Sequence, residues 1–226
     1  MPAFDANDHE TKYLVSAGMA VPVQSYLSGV CASEIPFAAN WVDSIYFDTL
    51  DLDAYQDNLS GQLLKTKVRV RWYDQSGVAF AEIKRRCAER RDKTRVELSW
   101  SGERLSREGL SCPLLATLGR VLSERGQPVP SEVRPVVHLR FHRRRSVERS
   151  GSARISLDTE IGLVAIASRL GAGDPGVFPG AVVELKGATS VLPVALRPLH
   201  AFGCRRASFS KYAACLGAAA LGGWQS

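Results

Sequence analysis

Residues 65–72, KTKVRVRW, place Lys65, Lys67, Arg69 and Arg71 on alternate positions, with Thr66, Val68, Val70 and Trp72 between them. A period of two is that of a β-strand, so one face of this segment is entirely cationic. Such a face can bind a dense anion: guanidinium forks grip phosphate or carboxylate oxygens in pairs, and ammonium groups act as compact point charges. The charge is local. Between Lys65 and Arg95 eleven Lys or Arg stand against four Asp or Glu, a net of +7 in a chain whose total is +6, so the remainder sums to about −1. Concentrated positive charge points to a nucleic acid, a membrane surface or a phosphorylated small molecule.

The same alternation recurs along the chain and supplies the elements that must position these groups. Strands are expected at 10–15 (Glu10 and Lys12 on one face), 43–48, 65–72, 79–86 (Glu82, Lys84, Arg86), 93–100 (Lys93, Arg95, Glu97), 136–144 (His138, Arg140, His142, Arg144), 153–158 (Arg154, Ser156, Asp158) and 181–186 (Val182, Glu184, Lys186). A turn is expected at 74–77, DQSG. Helices are expected at 16–32, with a Ser cap and an early Pro22, at 112–126, ending on Gly126, and from Ser208 into the apolar C-terminal run. Residues 162–180, apolar and then rich in Gly and Pro, read as a loop. No repeat, low-complexity tract or break in composition divides the chain, so residues 1–226 are expected to form a single domain.

Seven or more strands with a charged face, and only two or three modest helices, leave too little apolar cover for an open eight-stranded sheet. An α+β fold resolves this if an eight-stranded antiparallel closed β-barrel turns its charges inward and its apolar residues outward against flanking helices. The interior is then a cationic tunnel, unfavourable when empty and suited to a linear polyanion. Glu10, Glu82, Glu97, Asp158 and Glu184 can offset some of the cations, and one or more can hold Mg²⁺ or Mn²⁺, which favour carboxylate oxygens and bridge to phosphate. The expected ligand is a polyphosphate chain or the triphosphate of a nucleotide with its metal. Single-stranded nucleic acid is disfavoured, because Trp72, Phe80 and Trp100 alternate out of phase with the charges rather than offering base-stacking platforms among them. Five widely spaced cysteines without a CxxC pair suggest neither a disulfide framework nor a zinc site. No apolar run has the length of a membrane span and the first residues lack a secretory pattern, so a cytoplasmic location is expected.

The ordered set YFDT, AYQDNLSG, KVRVRWY, an E-x-K strand, ARISLDT, FPGAVVELK and a terminal SFSKY resembles the catalytic domain of the vacuolar transporter chaperone (VTC) family, the polyphosphate polymerases of the CYTH-like triphosphate tunnel superfamily. The resemblance runs from about residue 10 to residue 215. It implies an antiparallel barrel whose tunnel grips ATP and inorganic polyphosphate or pyrophosphate and transfers the γ-phosphoryl group. It implies Lys12, Arg69, Arg71, Lys84 and Lys211 as catalytic residues and Lys93, Arg144, His142, Lys186 and Ser210 as phosphate contacts, with Glu184 on Mn²⁺ or Mg²⁺. The register at Arg143, Arg144 and Arg145 is open by one position. Ser208 stands where eukaryotic members resemble HKFSKF and carry a second lysine, and the membrane-spanning region that accompanies the eukaryotic domain is absent here, which leaves room for a membrane-protein partner.

The residues alone allow plainer roles. Lys12, Lys84 and Lys186 could be strand-face charges paired with Glu10, Glu82 and Glu184. Arg85, Arg86, Arg90 and Arg91 read as a solvated turn or a steering patch, His9, His138 and His200 as structural or exposed, and Cys87 has no neighbouring base to make it a nucleophile. A tri- or polyphosphatase and a non-catalytic polyphosphate-binding module are the alternatives to a polymerase.

Overall fold

The computed structural model describes residues 9–35, 37–74, 78–87, 90–127, 129, 132–170 and 173–224, the side chains of residues 90 and 91 excepted. The fold is α+β, an antiparallel sheet with flanking helices. In chain order the elements are β1 (His9–Ser16), α1 (Ala20–Val30), β2 (Cys31–Ser33), β3 (Ala39–Asp48), α2 (Asp53–Leu59), β4 (Leu64–Tyr73), β5 (Ala79–Cys87), β6 (Arg90–Leu98), α3 (Gly102–Glu108), α4 (Leu118–Glu124), β7 (Arg134–Glu148), β8 (Ala153–Ile166), β9 (Gly180–Gly187), β10 (Arg205–Arg206) and α5 (Lys211–Ala220). The strand order is β10-β1-β9-β8-β7-β3-β4-β5-β6, with β2 added on β7. The expected eight strands are therefore ten, and among the described residues the hydrogen-bonded path runs from β10 to β6 without closing on itself. The two extra strands, β2 and β10, are three and two residues long, too short to show an alternation in sequence.

The chain forms two compact units. The first comprises residues up to Trp41 together with Phe141–Ile161 and Val177–Phe209. Here Tyr13 and Val15 of β1, Ile155 and Leu157 of β8, and Val183 and Leu185 of β9 turn to one side and are covered by Val23 and Leu27 of α1 and by Leu196 and Leu199 of a 3₁₀ turn. The second comprises Val42–Arg140, Gly162–Gly176 and Ser210–Ser226. Its apolar side (Ile45, Val68, Val70, Trp72, Ile83, Val96, Leu98) packs under Leu105 of α3 and Leu118 and Leu122 of α4. Each such fully buried side chain is worth about 1.5–3 kcal/mol. In each unit the period of two thus delivers apolar residues to helices, and the alternate residues to the opposite face.

Several local expectations change. The helix expected at 16–32 begins only at Ala20 after a 3₁₀ turn, and Ser16 makes no side-chain cap; Pro22 is tolerated because it lies in the first turn, where amides have no intrahelical acceptor. The helix at 112–126 is split into a 3₁₀ turn at Pro113–Thr117 and α4, with Gly126 at φ 69° beyond its end. The terminal helix starts at Lys211, with Ser210 rather than Ser208 as its cap. The loop at 162–180 is strand as far as Ile166. Of the turn at 74–77 only Asp74 lies among the described residues, at φ 49°. Among the described residues no helix is long and apolar enough to cross a membrane. The five cysteines are free, and burial pushes the Cys215 thiol up to about 12, so it is inert.

Register between β1 and β9 depends on Gly180, which pairs with Ser16 where a Cβ would collide with the Val15 carbonyl oxygen. Gly180→Ala is expected to cost about 1–3 kcal/mol, as overpacking does. The check is a fall in the urea midpoint at constant m-value; an unchanged midpoint would contradict this packing.

Candidate active site

In the second unit the pairing of β3, β4, β5 and β6 stacks the charged residues into cross-strand rows. Lys67, Lys84 and Lys93 are direct partners, three ammonium groups in register with no acid among them. Like charges directly opposite are destabilising. The next row is Tyr46, Arg69, Glu82 and Arg95, and the one beyond it Ser44, Arg71, Phe80 and Glu97. Glu82 is 2% exposed and holds the face together. Its Oε2 accepts from Arg69 Nε at 2.7 Å and from Nη2, and lies 3.6 Å from Arg71 Nη1. Its Oε1 lies 3.2 Å from Lys93 Nζ and 3.9 Å from Arg95 Nε. Burial alone would raise the Glu82 pKa, but Arg69, Arg71 and Lys93 outweigh it and hold the carboxyl well below its usual range. Arg71 also donates to Ser44 Oγ at 3.1 Å, and the Arg95 guanidinium stacks 3.6 Å over the Phe80 ring.

Helix α5 joins this face through Tyr212, whose ring stacks on Tyr46 at 5.2 Å and whose hydroxyl donates to Asp48 Oδ2 at 2.6 Å. Asp48 also accepts from the amides of Thr49, Ala54 and Tyr55, and so ties α2 to the end of β3. Lys67 Nζ donates to Asn58 of α2 at 2.9 Å and to Ser210 Oγ at 3.0 Å, the same oxygen that caps α5. Lys211 opens α5 half-buried, and its charge is felt at Tyr46. The Tyr46 hydroxyl accepts from Arg69 Nη1 at 2.9 Å. Burial raises its pKa, but the charges of Arg69 and Arg71 prevail and lower it to about 8.

In the first unit a second centre is built on β1, β7, β8 and β9. Lys12, Glu184 and Ser156 form one cross-strand row, and Glu10, Lys186 and Arg154 the next. Glu184, 7% exposed, lies 3.2 Å from Lys186 Nζ and 3.8 Å from Arg143 Nη2. Arg143 donates twice to the fully buried Asp158, at 2.6 and 2.7 Å. Lys12 is 3.2 Å from Glu10 and donates to the Phe209 carbonyl at 2.9 Å. No group of three or more His, Cys, Asp or Glu able to hold a metal occurs among the described residues. Glu184 with its hard oxygens nevertheless fits Mg²⁺ or Mn²⁺, which take one or two carboxylates and complete their shell with water and substrate phosphates.

The model of the VTC domain family matches residues 7–220 of this chain. The chain belongs to the VTC domain family. Among solved structures, a candidate adenylate cyclase of Bacillus halodurans is similar over 90% of this chain and 93% of its own, at 15% identity and a TM-score of 0.57, which speaks for the fold. A candidate adenylate cyclase of Vibrio parahaemolyticus matches at 14% identity and a TM-score of 0.45 over 93% and 96% of the two chains. A protein of Pyrococcus horikoshii matches at 12% and 0.45 over 88% and 92%. No curated protein matched by sequence.

In this VTC domain the residues nominated from sequence divide between the two units: Arg69, Arg71, Lys84, Lys93, Ser210 and Lys211 in the second, Lys12, His142, Arg144, Glu184 and Lys186 in the first. Lys12 and Lys186 do pair with Glu10 and Glu184. Two placements differ from the sequence reading. Arg144 is exposed, and it is Arg143 that meets Asp158 and Glu184. His142 lies edge-on to Trp41 at 5.3 Å. His138 and Arg140, aligned with the charged faces in sequence, bind Asp43 at 2.8 and 3.1 Å; Asp43 pairs with Trp72, so both sit on the apolar side. A buried carboxylate there satisfies them, and alternation alone does not say which face of a half-charged strand turns inward. Lys67 stands on this face as the alternation with Arg69 predicts, and Tyr46, the first residue of YFDT, joins it although the spacing of charges gives it no role.

The lowered Tyr46 pKa makes the folded chain release that proton first, so Tyr46 adds stability as pH rises from about 8 towards 10, where the unfolded chain still holds it. Absorbance near 295 nm is expected to show one tyrosine of six ionising near pH 8, lost in Tyr46→Phe. Six tyrosines all titrating at or above pH 10 would contradict the assignment.

Proposed function

We propose that this VTC domain is a metal-dependent phosphotransferase that passes the γ-phosphoryl group of ATP to the end of an inorganic polyphosphate chain, or to phosphate or pyrophosphate when a chain begins. The observation that carries the reading is the row of Lys67, Lys84 and Lys93, three lysines that adjacent strands hold side by side and that a phosphate chain could bridge. Family membership supports a triphosphate as the donor. In this reading the chain acts as one catalytic domain whose charged strand faces grip the triphosphate. It works in the cytoplasm, with a membrane protein as partner if the product is to be exported.

Arg69, Arg71, Lys84 and Lys93 bind the triphosphate, with His142, Lys186, Ser210 and the arginine of the 143–145 run as further contacts. Arg143, beside Glu184, is better placed for that last role than Arg144. Lys12 and Lys211 orient the reacting phosphates. Glu184 would hold Mn²⁺ or Mg²⁺, which when bound neutralises phosphate oxygens. Phosphoryl transfer asks for positioning and charge neutralisation rather than covalent chemistry, and cations fixed by buried carboxylates supply both without reorganising during reaction.

Purified protein incubated with ATP and Mn²⁺ is expected to yield ADP and long polyphosphate on a gel. Orthophosphate as the only product would replace the polymerase with a triphosphatase, and no turnover with polyphosphate still raising the melting temperature would leave a binding module. Glu184→Ala, or removal of divalent metal by chelation, is expected to lower turnover by at least about 100-fold, the scale of losing one electrostatic stabiliser. A fully active Glu184→Ala would take that residue out of the metal site.

A further inference from the structure

Glu82 stands out in the second unit because one carboxylate has four cations, Arg69, Arg71, Lys93 and Arg95, within 3.9 Å. Its Oε2 alone takes both the Nε and the Nη2 of Arg69, the guanidinium edge that a phosphate oxygen would otherwise occupy. Its burial is also unequal to that of its partners. Glu82 is 2% exposed beside Arg71 at 7%, whereas Lys93 and Arg95 reach solvent at 46% and 40%. The carboxylate thus fills the innermost position, and its Oε1, without a hydrogen-bond partner among the described residues, points at the two outer cations.

We infer that Glu82 is a resident anion: it occupies one phosphate-sized position among the four cations, excludes free orthophosphate from it, and so reserves the neighbouring lysine row for a phosphate chain. The inference rests on the reading of this face as phosphate-binding. A carboxylate attached to β5 gives up no translational freedom when it binds, so an orthophosphate ion competing for the Arg69 edge meets an intramolecular rival and like-charge repulsion. A chain is treated differently. It can span Lys67, Lys84 and Lys93, which β4, β5 and β6 set side by side, and gather several contacts without dislodging Glu82 from Arg69. The residue then selects for chain length and protects the site from the single phosphates that accumulate around phosphoryl-transfer reactions.

The test compares native protein with Glu82→Ala, which opens the position, using orthophosphate and formate as probes and both melting temperature and competition against tripolyphosphate as readouts. Millimolar orthophosphate or formate is expected to raise the melting temperature of the variant by several degrees while barely moving that of the native protein. Orthophosphate is expected to displace tripolyphosphate from the variant about tenfold more effectively than from the native protein, which corresponds to a binding difference of about 1.4 kcal/mol. If Glu82→Ala does not fold, Glu82→Gln keeps the volume and removes the charge, and the same tenfold gain in orthophosphate competition is expected. Equal responses of native and variant protein to orthophosphate overturn the resident anion. Native protein that binds no tripolyphosphate overturns the phosphate reading instead, and the melting-temperature response to orthophosphate and formate still decides the role of Glu82.

Discussion

A β-sheet that places cations on alternate residues of adjacent strands sets like charges side by side, and in this fold buried carboxylates fix them in place. In the second unit that carboxylate is Glu82, bound by Arg69 and approached by Arg71, Lys93 and Arg95. In the first unit Asp158 takes the Arg143 fork while Glu184 is shared between Arg143 and Lys186. The first-unit centre balances, Lys12, Arg143 and Lys186 against Glu10, Asp158 and Glu184, whereas the second-unit centre carries an excess of cations. Strands β4, β5 and β6 set Lys67, Lys84 and Lys93 side by side, a row that a phosphate chain can follow. Buried ion pairs of this kind are weak contributors to net stability, since desolvation offsets their attraction. Their value lies in fixing charged groups in place before a substrate arrives.

What holds the strands in register is apolar and lies on the other side. Val68, Val70 and Trp72 anchor β4 beneath α3 and α4 through the residues that alternate with Arg69 and Arg71, so one period of two positions both the core and the charged face. A slip of one residue would exchange them. Helix α5 is a different device. It reaches the charged face through Tyr212, packed on Tyr46 and bonded to Asp48, and the Ser210 that caps it also accepts from Lys67. The first turn of α5, with Lys211, is thereby tied to the lysine row rather than merely following it in sequence.

Much of this was legible in the sequence, and the parts that were not share a cause. Every long strand announced itself through alternation, because side-chain direction in a strand is a local property. Short pieces such as β2 and β10 form only because a longer strand offers them a partner. Helix α2 was hidden in a polar stretch because its amides are satisfied by Asp48, several residues upstream, rather than by an adjacent cap. On β7 the spacing of His138, Arg140 and His142 suggested one charged face, yet Asp43 draws the first two to the apolar side and the arginine that meets Asp158 and Glu184 is Arg143, on the Phe141 side of the strand. Spacing finds the strand; the position of a buried partner decides which face acts.

The most direct measurement is a crystal structure of the protein with tripolyphosphate and Mn²⁺, using anomalous scattering at the manganese edge to place the metal. Phosphate density along Lys84, Lys93 and Arg71, with a manganese peak at coordination distance from a Glu184 carboxylate oxygen, is the predicted result. A phosphate chain bound on the outer surface, with the lysine row unoccupied and manganese away from Glu184, would contradict the proposed function at its root.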